Sequence, residues 1–258
     1  MSGLVPSDGD ELAELPGRIA GCTACPRLVA AREAVAGPGY WARPVPGFGD
    51  PRARLHVLGL ATAPHGGNRF GRAFTGNRSA DTLVAALYRV GLANQPTSHH
   101  AGDGLCLRGA WMASAVRCPP PAHRPTRTER DACLGWLTAE VARLRELRVV
   151  VCLGRTAWDA ACDWAGARPR PRFAHGVEHR TDRGLLLLGC YHPSPQNTRS
   201  GRLTTAMLDD VLGRARDRAG LDGPGTDLEE HGHRVVQVRQ QVTVTPSVPY
   251  TAESPVTV

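Results

Sequence analysis

The sequence of 258 residues contains no lysine, and all 31 of its basic residues are arginine. Reactions that begin with a Schiff base on a lysine side chain are therefore excluded. Aromatic residues are also scarce, at 5% of the composition. Alanine, valine and leucine must consequently form most of any hydrophobic core.

Long hydrophobic runs are absent as well: none approaches the ~20 residues that a membrane-spanning helix needs. Residues 1–17 carry four acidic and no basic side chains, unlike the basic start of a secretory signal. We therefore expect a cytoplasmic protein that is not membrane-bound, with reduced cysteines instead of a disulfide scaffold. Hydrophobic residues make up 41% of the sequence, which is enough for one large domain.

The positive charge is concentrated in the middle of the chain. Residues 18–218 hold 29 arginines against 15 acidic residues, whereas both ends of the chain are acidic. A basic body favours a polyanionic partner such as nucleic acid. A genomic bias toward arginine codons produces the same composition, so charge alone leaves the partner open.

Short apolar segments alternate with helical patterns about four times, which predicts an α/β fold. Apolar runs predict buried strands at 54–60, 110–117, 148–154 and 184–190. Helices are predicted within 11–35 and at 80–92, 126–147, 155–166 and 201–219. Thr126 and Glu129 form a capping box that predicts the start of the 126–147 helix. The expected architecture is a single domain with a mainly parallel central sheet flanked by helices.

The predicted domain covers residues 18–219. Residues 1–17 are interpreted as an acidic extension, and residues 220–258 as a disordered tail. Ligands of open parallel sheets bind at the carboxyl ends of the strands. Loops 61–79, 118–125 and 191–200 all follow predicted strands and are expected to converge at that edge.

Four of the eight cysteines form a spaced set. Cys22 and Cys25 make a CxxC motif, and Cys118 and Cys133 are separated by 14 residues. Four thiolates can hold either zinc or a 4Fe–4S cluster, and the wide second spacing favours the larger group. The alternative is a redox-active CxxC motif with two unrelated cysteines.

The other cysteines have different surroundings in the sequence. Cys152, Cys162 and Cys190 lie within apolar strands or a helix and are interpreted as core residues. Cys106 lies in a loop and remains unassigned.

A glycine-rich segment, GLATAPHGGNRFGRAFTGN, covers residues 59–77. It has neither the GK[ST] of a phosphate-binding loop nor the GxGxxG of a dinucleotide site. Glycines after a strand let the backbone approach a flat ligand closely. Phe74 is a lone aromatic residue here, either a buried anchor or a platform on which a base stacks.

The segment HPSPQNTR begins at His192, directly after a predicted strand. Two prolines stiffen this loop and restrict where His192 points, which favours a catalytic position for the imidazole. Arg199 and Arg202 follow near a helix start, from which they can reach phosphate groups.

Together these motifs and the four spaced cysteines resemble a family 5 (B-type) uracil-DNA glycosylase over about residues 18–218. Family 4 members share the cluster but carry an acidic residue where this sequence has Leu60, so the resemblance is to family 5. It implies a 4Fe–4S cluster held by Cys22, Cys25, Cys118 and Cys133.

The resemblance also implies roles for the site residues. Phe74 would stack on the extruded base, and His192 would hydrogen-bond the base carbonyl that gains charge as the glycosidic bond breaks. Asn197 would contact DNA or the lesion nucleotide. The backbone of residues 59–63, including Gly59, Leu60 and Ala61, would line the base pocket.

Two positions depart from the family pattern. The loop after Phe74 often ends in Asp, but this sequence has Asn77, which cannot act as a general base and can still position a water molecule. Ser114 stands in the base-binding strand where the family often has Asn. These departures bear on rate and base preference, not on the class of reaction.

We therefore expect a monomeric, monofunctional DNA glycosylase that removes uracil and other deaminated bases, such as hypoxanthine or xanthine. The partner would be DNA containing these bases. The alternative is a non-catalytic protein that binds nucleic acid or senses uracil in DNA, stabilised by a metal such as zinc.

Overall fold

A computed structural model describes residues 8–221. Its six strands form one mixed sheet in the order β1-β3-β2-β4-β6-β5. Their bounds are β1 Phe48–Gly49, β2 Leu55–Ala61, β3 Ala110–Val116, β4 Val149–Leu153, β5 Glu178–Arg180 and β6 Leu186–Cys190. The four inner strands are parallel, and the two edge strands run antiparallel to their neighbours.

The inner strands confirm the predicted α/β fold with a mainly parallel sheet. Edge strand β1 was not predicted, because it lies in a segment without periodicity. Edge strand β5 lies in residues 167–183, whose sequence predicts a basic loop or a hairpin. Strand β5 forms a short hairpin with β6. Strand β1 pairs with β3, so its conformation depends on a partner that is distant in sequence.

The predicted helices are present in the predicted order, with shifted ends, and two further short helices lie in the predicted loops 61–79 and 191–200. Their bounds are α1 Asp8–Ala20, α2 Pro26–Ala34, α3 Gly67–Phe70, α4 Arg78–Arg89, α5 Arg127–Val141, α6 Arg155–Ala165, α7 Pro195–Arg199 and α8 Thr205–Ala219. A short 3₁₀ turn covers Pro121–His123. None of the helices within residues 8–221 has the length and apolar character needed to cross a bilayer.

Two helical layers cover the sheet. Helices α4 and α8 pack with Leu55 and Val57 of β2 on one face. Helices α5 and α6 lie on the other face, where Leu58 is buried. The predicted core cysteines are confirmed as buried residues of these two clusters: Cys190 in the first, and Cys152 and Cys162 in the second.

The N-terminal boundary differs from the prediction. Helix α1 begins at Asp8, and its Leu12, Leu15 and Ile19 side chains are buried. Leu12 packs with Trp111 and Ala113 of β3 and with Leu144, which follows α5. Most of the predicted acidic extension 1–17 therefore belongs to the fold, because α1 has an apolar face that needs burial. Of the predicted tail 220–258, all but the first two residues lie outside the described part of the chain.

The chain order creates a crevice at the carboxyl edge of the sheet. From β2 the chain passes to β3 on one side, and it then returns to form β4 on the other side. Pairing of β2 with β4 ends at Leu58, whereas pairing with β3 continues to Ala61. The backbone of Gly59 to Ala61 therefore borders a gap between β2 and β4, the position where open α/β sheets bind ligands.

Candidate active site

The loop after β2 brings Phe74 back over the strand that precedes it. Phe74 is half-buried and packs against the core on the α4 and α8 face. A Cβ atom built at Gly59 would lie 2.5 Å from Phe74 Cζ, so the ring rests on a strand position that only glycine can occupy. The structure is compatible with both interpretations of Phe74, because the ring packs on the strand and part of its surface stays exposed.

Ser114 lies beside Gly59 in the sheet. The two residues are register partners in the parallel pair β2–β3, and directly paired residues point toward the same face. Ser114 is 3% exposed and is therefore on the face where the Phe74 ring packs. Leu60 points toward the opposite face and is half-buried.

His192 is at the start of the loop after β6. Burial lowers the pKa of its imidazole to about 4, so the ring is neutral at pH 7. Within the described residues, no side-chain hydrogen bond is formed by the imidazole. A Cβ atom built at Gly154, at the end of β4, would lie 3.4 Å from His192 Cβ, which places His192 against the carboxyl end of β4.

The backbone of His192 is held by its own loop. The carbonyl of His192 accepts hydrogen bonds from Asn197 Nδ2 and from the Ser194 amide, each at 2.8 Å. The Asn197 carbonyl accepts a third bond, from the Leu203 amide at 3.0 Å. The structure thus shows Asn197 as a residue that holds the His192 backbone, a role that its loop position in the sequence does not reveal.

Asn77 also has a structural role that the sequence analysis missed. Its Oδ1 accepts a hydrogen bond from the Ala80 amide at 3.0 Å, which caps the N-terminus of α4. Its Nδ2 donates to the Thr75 carbonyl at 3.5 Å. Asn is a preferred N-cap residue, and this pattern becomes visible once the helix is placed at residue 78 instead of 80.

Two exposed arginines flank the His192 loop. Arg199 ends α7, and Arg202 lies just beyond it. The Arg202 guanidinium carbon lies 4.7 Å from the centroid of the Tyr191 ring, a cation–π distance. Both side chains lie near the carboxyl edge of the sheet, where they can contact phosphate groups.

The sheet order brings the site loops to one edge. The Phe74 loop follows β2 and the His192 loop follows β6, with the end of β4 between them. Neighbouring strands are about 4.8 Å apart, which separates β2 from β6 by about 10 Å. Loop 118–125 follows β3 on the other side of β2, so all three predicted loops leave the same edge.

The four spaced cysteines line one cavity beside β3. Its empty space is about 270 Å³, including open solvent at the mouth, and its wall also includes Leu28, Arg32, Arg117 and Trp136. Cys22 and Cys25 lie in or at the end of the α1–α2 connection. Cys118 follows β3, and Cys133 lies in the second turn of α5. Cys106 does not line this cavity; it is half-buried in the 93–108 segment.

The cysteines around this cavity are not arranged as a site for a single metal ion. Within residues 8–221, no three histidine, cysteine or acidic side chains are gathered closely enough to hold one metal ion. All four thiols are free, and Arg32 Nη1 donates to Cys118 Sγ at 3.4 Å. Burial raises the pKa of Cys118 to about 11 and also raises that of Cys133. The donor set, four thiols around one space, fits a four-thiolate cluster.

An ion pair joins the elements that carry these cysteines. Arg27 of α2 donates from Nε and Nη2 to the Glu129 carboxylate at 2.8 and 2.7 Å. Glu129 also completes the predicted capping box with Thr126 at the start of α5. The CxxC segment and the Cys133 helix are therefore held together by protein contacts.

Comparison with known proteins agrees with the fold and the motifs. The family model of the uracil DNA glycosylase superfamily matches residues 46–216. The type-5 uracil-DNA glycosylase of Mycobacterium bovis is 49% identical over 222 residues, covering 82% of this chain and 83% of the relative.

Two further type-5 uracil-DNA glycosylases are similar over most of their length. The protein of Mycobacterium leprae is 48% identical, covering 84% of this chain and all of the relative. The protein of Thermus thermophilus is 47% identical, covering 78% of this chain and 94% of the relative. A type-4 enzyme of Pyrobaculum aerophilum is only 28% identical over half of this chain. The chain therefore belongs to the uracil-DNA glycosylase superfamily, within its type-5 branch.

Proposed function

We propose that the protein removes uracil from DNA by hydrolysing the N-glycosidic bond of a nucleotide flipped out of the helix. One observation carries this proposal. A neutral imidazole at His192 and a partly exposed ring at Phe74 lie in loops at the same edge of the sheet, beside the crevice between β2 and β4. Membership of the superfamily supports the same reaction.

The crevice would receive the flat base. Gly59 has no side chain, so the Phe74 ring reaches the strand, and the base would stack on the part of the ring that remains exposed. The backbone of Gly59 to Ala61 would meet the edge of the base, with Ser114 on the same face of the sheet. This arrangement binds a planar ligand and excludes water from one side of it.

His192 would stabilise the departing base. As the glycosidic bond stretches, negative charge grows on the carbonyl oxygens of the base. A fixed N–H donor near such an oxygen stabilises the transition state more than the ground state. A neutral imidazole has one N–H group to donate and carries no charge that burial would penalise. Asn197 would keep His192 in place through its carbonyl.

Asn77 has a smaller part in this mechanism. An amide cannot accept a proton from water, and the Asn77 side chain is already bonded to the start of α4. It would position the water molecule that attacks the sugar. The reaction then depends mainly on stabilising the leaving group.

The product would be an abasic site in an intact strand. A lyase reaction through a lysine Schiff base is not available, because the chain contains no lysine. We further propose that hypoxanthine and xanthine are also substrates, since both present a carbonyl oxygen to a donor such as His192. The enzyme would act as a monomer on DNA in the cytoplasm, with Arg199 and Arg202 contacting phosphates.

We also propose that the four cysteines lining the cavity hold a 4Fe–4S cluster: Cys22, Cys25, Cys118 and Cys133. When bound, the cluster would serve as a structural crosslink between the α1–α2 connection, the end of β3 and α5. What supports this is the convergence of four free thiols on one cavity.

A strand-cleavage assay tests the catalytic proposal. Oligonucleotides containing uracil, hypoxanthine, xanthine or a thymine mismatch are incubated with the protein, and abasic sites are then cleaved with alkali. We expect cleavage of uracil DNA after alkali and none before it. Tight binding to uracil DNA without any base release would instead favour the non-catalytic sensor. Metal analysis of the same preparation separates iron from zinc.

A further inference from the structure

Phe74 has a backbone conformation that residues with side chains rarely adopt. Its φ is +49°, in the left-handed region where a Cβ atom is crowded. Neighbouring Ala73 and Thr75 are both buried, so the loop has no freedom to relax toward solvent. Such conformations persist only where surrounding contacts enforce them, and they are concentrated at functional sites.

Arg72 supplies the enforcing contacts. Its side chain is 4% exposed and donates hydrogen bonds to four acceptors, one in the Phe74 loop and three in residues 98–103. Within its own loop, Arg72 Nε donates to Thr75 Oγ1 at 2.9 Å. Across the loop, Arg72 Nη2 donates to Asp103 Oδ2 at 2.8 Å and to Ser98 Oγ at 3.0 Å, and Nη1 donates to a main-chain carbonyl.

Asp103 fixes the opposite segment. Its side chain is 6% exposed, and its Oδ2 also accepts the His99 amide at 2.7 Å while its Oδ1 accepts the Leu105 amide at 3.1 Å. The Ser98 carbonyl accepts the Gly76 amide at 2.8 Å. The loop that carries Phe74 is thus tied at both ends to residues 98–103.

A buried ion pair is an expensive way to hold a loop. Desolvation offsets much of the attraction between the charges, so such pairs contribute specificity of conformation more reliably than stability. The planar guanidinium with several fixed acceptors restricts orientation more than a lysine would. The residue enclosed by these bonds is the one whose ring rests on Gly59 at the crevice.

We propose that Arg72 and Asp103 are positioning residues for Phe74. They hold its left-handed backbone so that the ring stays against Gly59, and this sets the width of the base pocket. The inference rests on the proposed function, because it assigns the pair a part in base removal. A merely structural pair would stabilise the fold without acting through Phe74.

A double-mutant cycle tests this proposal. Single-turnover uracil release is measured for the wild type, Asp103→Asn, Phe74→Ala and the combination. Asp103→Asn removes the charge and keeps one of the two side-chain oxygens, so it can still accept either the His99 amide or the Leu105 amide. We expect Phe74→Ala to slow release by about tenfold to a hundredfold, the range of a lost stacking contact. Asp103→Asn should slow it by a smaller factor, and the combination should be no slower than Phe74→Ala alone.

Asp209→Asn is the matched control. Asp209 forms a two-bond ion pair with Arg89, at 2.7 and 2.8 Å, between α4 and α8 and away from the Phe74 loop. Its rate of uracil release should equal that of the wild type. If Asp103→Asn does not fold, Ser98→Ala replaces it in the double-mutant cycle, because it removes only one uncharged acceptor of Arg72.

A second readout does not depend on catalysis. Because the Phe74 ring lies on Gly59, the NMR resonance of the Gly59 amide reports the position of the ring. It should shift in Asp103→Asn and not in Asp209→Asn. Multiplicative rate losses in the double mutant, or a lowered melting temperature with an unchanged Gly59 resonance, would overturn the inference. A wild type that releases no uracil would overturn the proposed function instead, and the resonance would still decide the positioning role.

Discussion

At the scale of single residues, His192 shows how burial sets a protonation state. The pKa of its imidazole is lowered to about 4 by burial, with no contribution from a neighbouring charge. A neutral ring is therefore present throughout the range in which most enzymes are assayed. The residue acts in our proposal as a hydrogen-bond donor and not as a cation.

Replacing His192 should remove the donor at the departing base. We expect His192→Ala to reduce single-turnover uracil release by about 10²–10³, the usual cost of losing one such donor, with little change in DNA affinity. His179→Ala, on edge strand β5, serves as the control and should retain the wild-type rate. A His192→Ala rate within about threefold of wild type, a small fraction of that cost, would remove His192 from the mechanism.

The pH profile gives a second test of His192. Its imidazole should stay neutral from pH 8 down to about pH 5, so His192 should contribute no titration to the single-turnover rate in that interval. Activity should fall as the pH passes through about 4. A loss of activity centred near pH 6.5 that disappears in His192→Ala would contradict the neutral-donor role.

Substitutions at Asn77 test whether leaving-group stabilisation or water activation limits the rate. Asn77→Asp keeps an N-cap acceptor for α4, so stability should hardly change, whereas Asn77→Ala should lose about 1 kcal/mol of stability. If leaving-group stabilisation limits the reaction, as we propose, Asn77→Asp should leave the rate of uracil release nearly unchanged. Acceleration by about 10²-fold, the scale of a gained general base, would show that water activation is limiting.

At the scale of elements, α5 is capped at its start and is joined by an ion pair to another element beside the cysteine cavity. It begins with a capping box, it pairs through Glu129 with α2, and it contributes Cys133 to the cavity. A bound cluster would link the same elements that the Arg27–Glu129 pair already joins. Its removal should therefore loosen the segment before β1 more than the sheet.

The cysteine substitutions test this arrangement. Cys22→Ser and Cys133→Ser should each lower the iron content and the solubility of the protein, because a cluster lacking one thiolate is held less tightly. Cys106→Ser is the matched control, since Cys106 lies outside the cavity, and it should retain the wild-type iron content. Iron is measured per mole of purified chain. Full iron occupancy in Cys22→Ser and Cys133→Ser would exclude both residues as ligands.

At the scale of the whole molecule, the charge distribution predicts strong salt dependence. Residues 18–218 hold a large excess of arginine, and arginine contacts with phosphates release counterions. Affinity for uracil DNA should fall steeply as salt increases. Arg202→Gln, at the carboxyl edge, should reduce the slope by about one, while Arg52→Gln, at the opposite edge, should not change it. Equal slopes for all three proteins would place the DNA elsewhere.

The stability of the fold should also depend on pH. His56 is fully buried in β2, and neither of its ring nitrogens has a hydrogen-bond partner within the described residues. Burial, together with the nearby Arg117, lowers the pKa of His56 to about 3. The unfolded chain has an ordinary histidine pKa of about 6.5, so below that pH the unfolded state binds the proton first.

Folded stability should therefore decrease as the pH falls from about 6.5 toward 3, by up to about 1.4 kcal/mol per pH unit from His56. Urea unfolding at pH 7 and pH 5 measures the change. His56→Leu should show a smaller decrease over the same interval, because the unfolded state no longer gains that proton. An identical decrease in both proteins would show that other groups control acid stability.

Local patterns in the sequence were sufficient to predict much of this protein. The apolar runs predicted all four inner strands, and the capping residues predicted the start of α5. The spaced motifs indicated the family before any fold was known. These features depend on residues close together in the chain, where periodicity and side-chain chemistry act directly.

Tertiary structure decided the features that depend on distant partners. Edge strand β1 exists because β3, about 60 residues later in the chain, pairs with it. Residues 8–17 fold because the apolar face of α1 packs against β3. The left-handed Phe74 is held through Asp103, which lies 31 residues from Arg72 in the chain. The neutral state of His192 comes from burial that no neighbour in the sequence specifies. Burial and long-range pairing are properties of the packed molecule, so the chemistry of the site could be indicated by its residues but only the fold could determine their state.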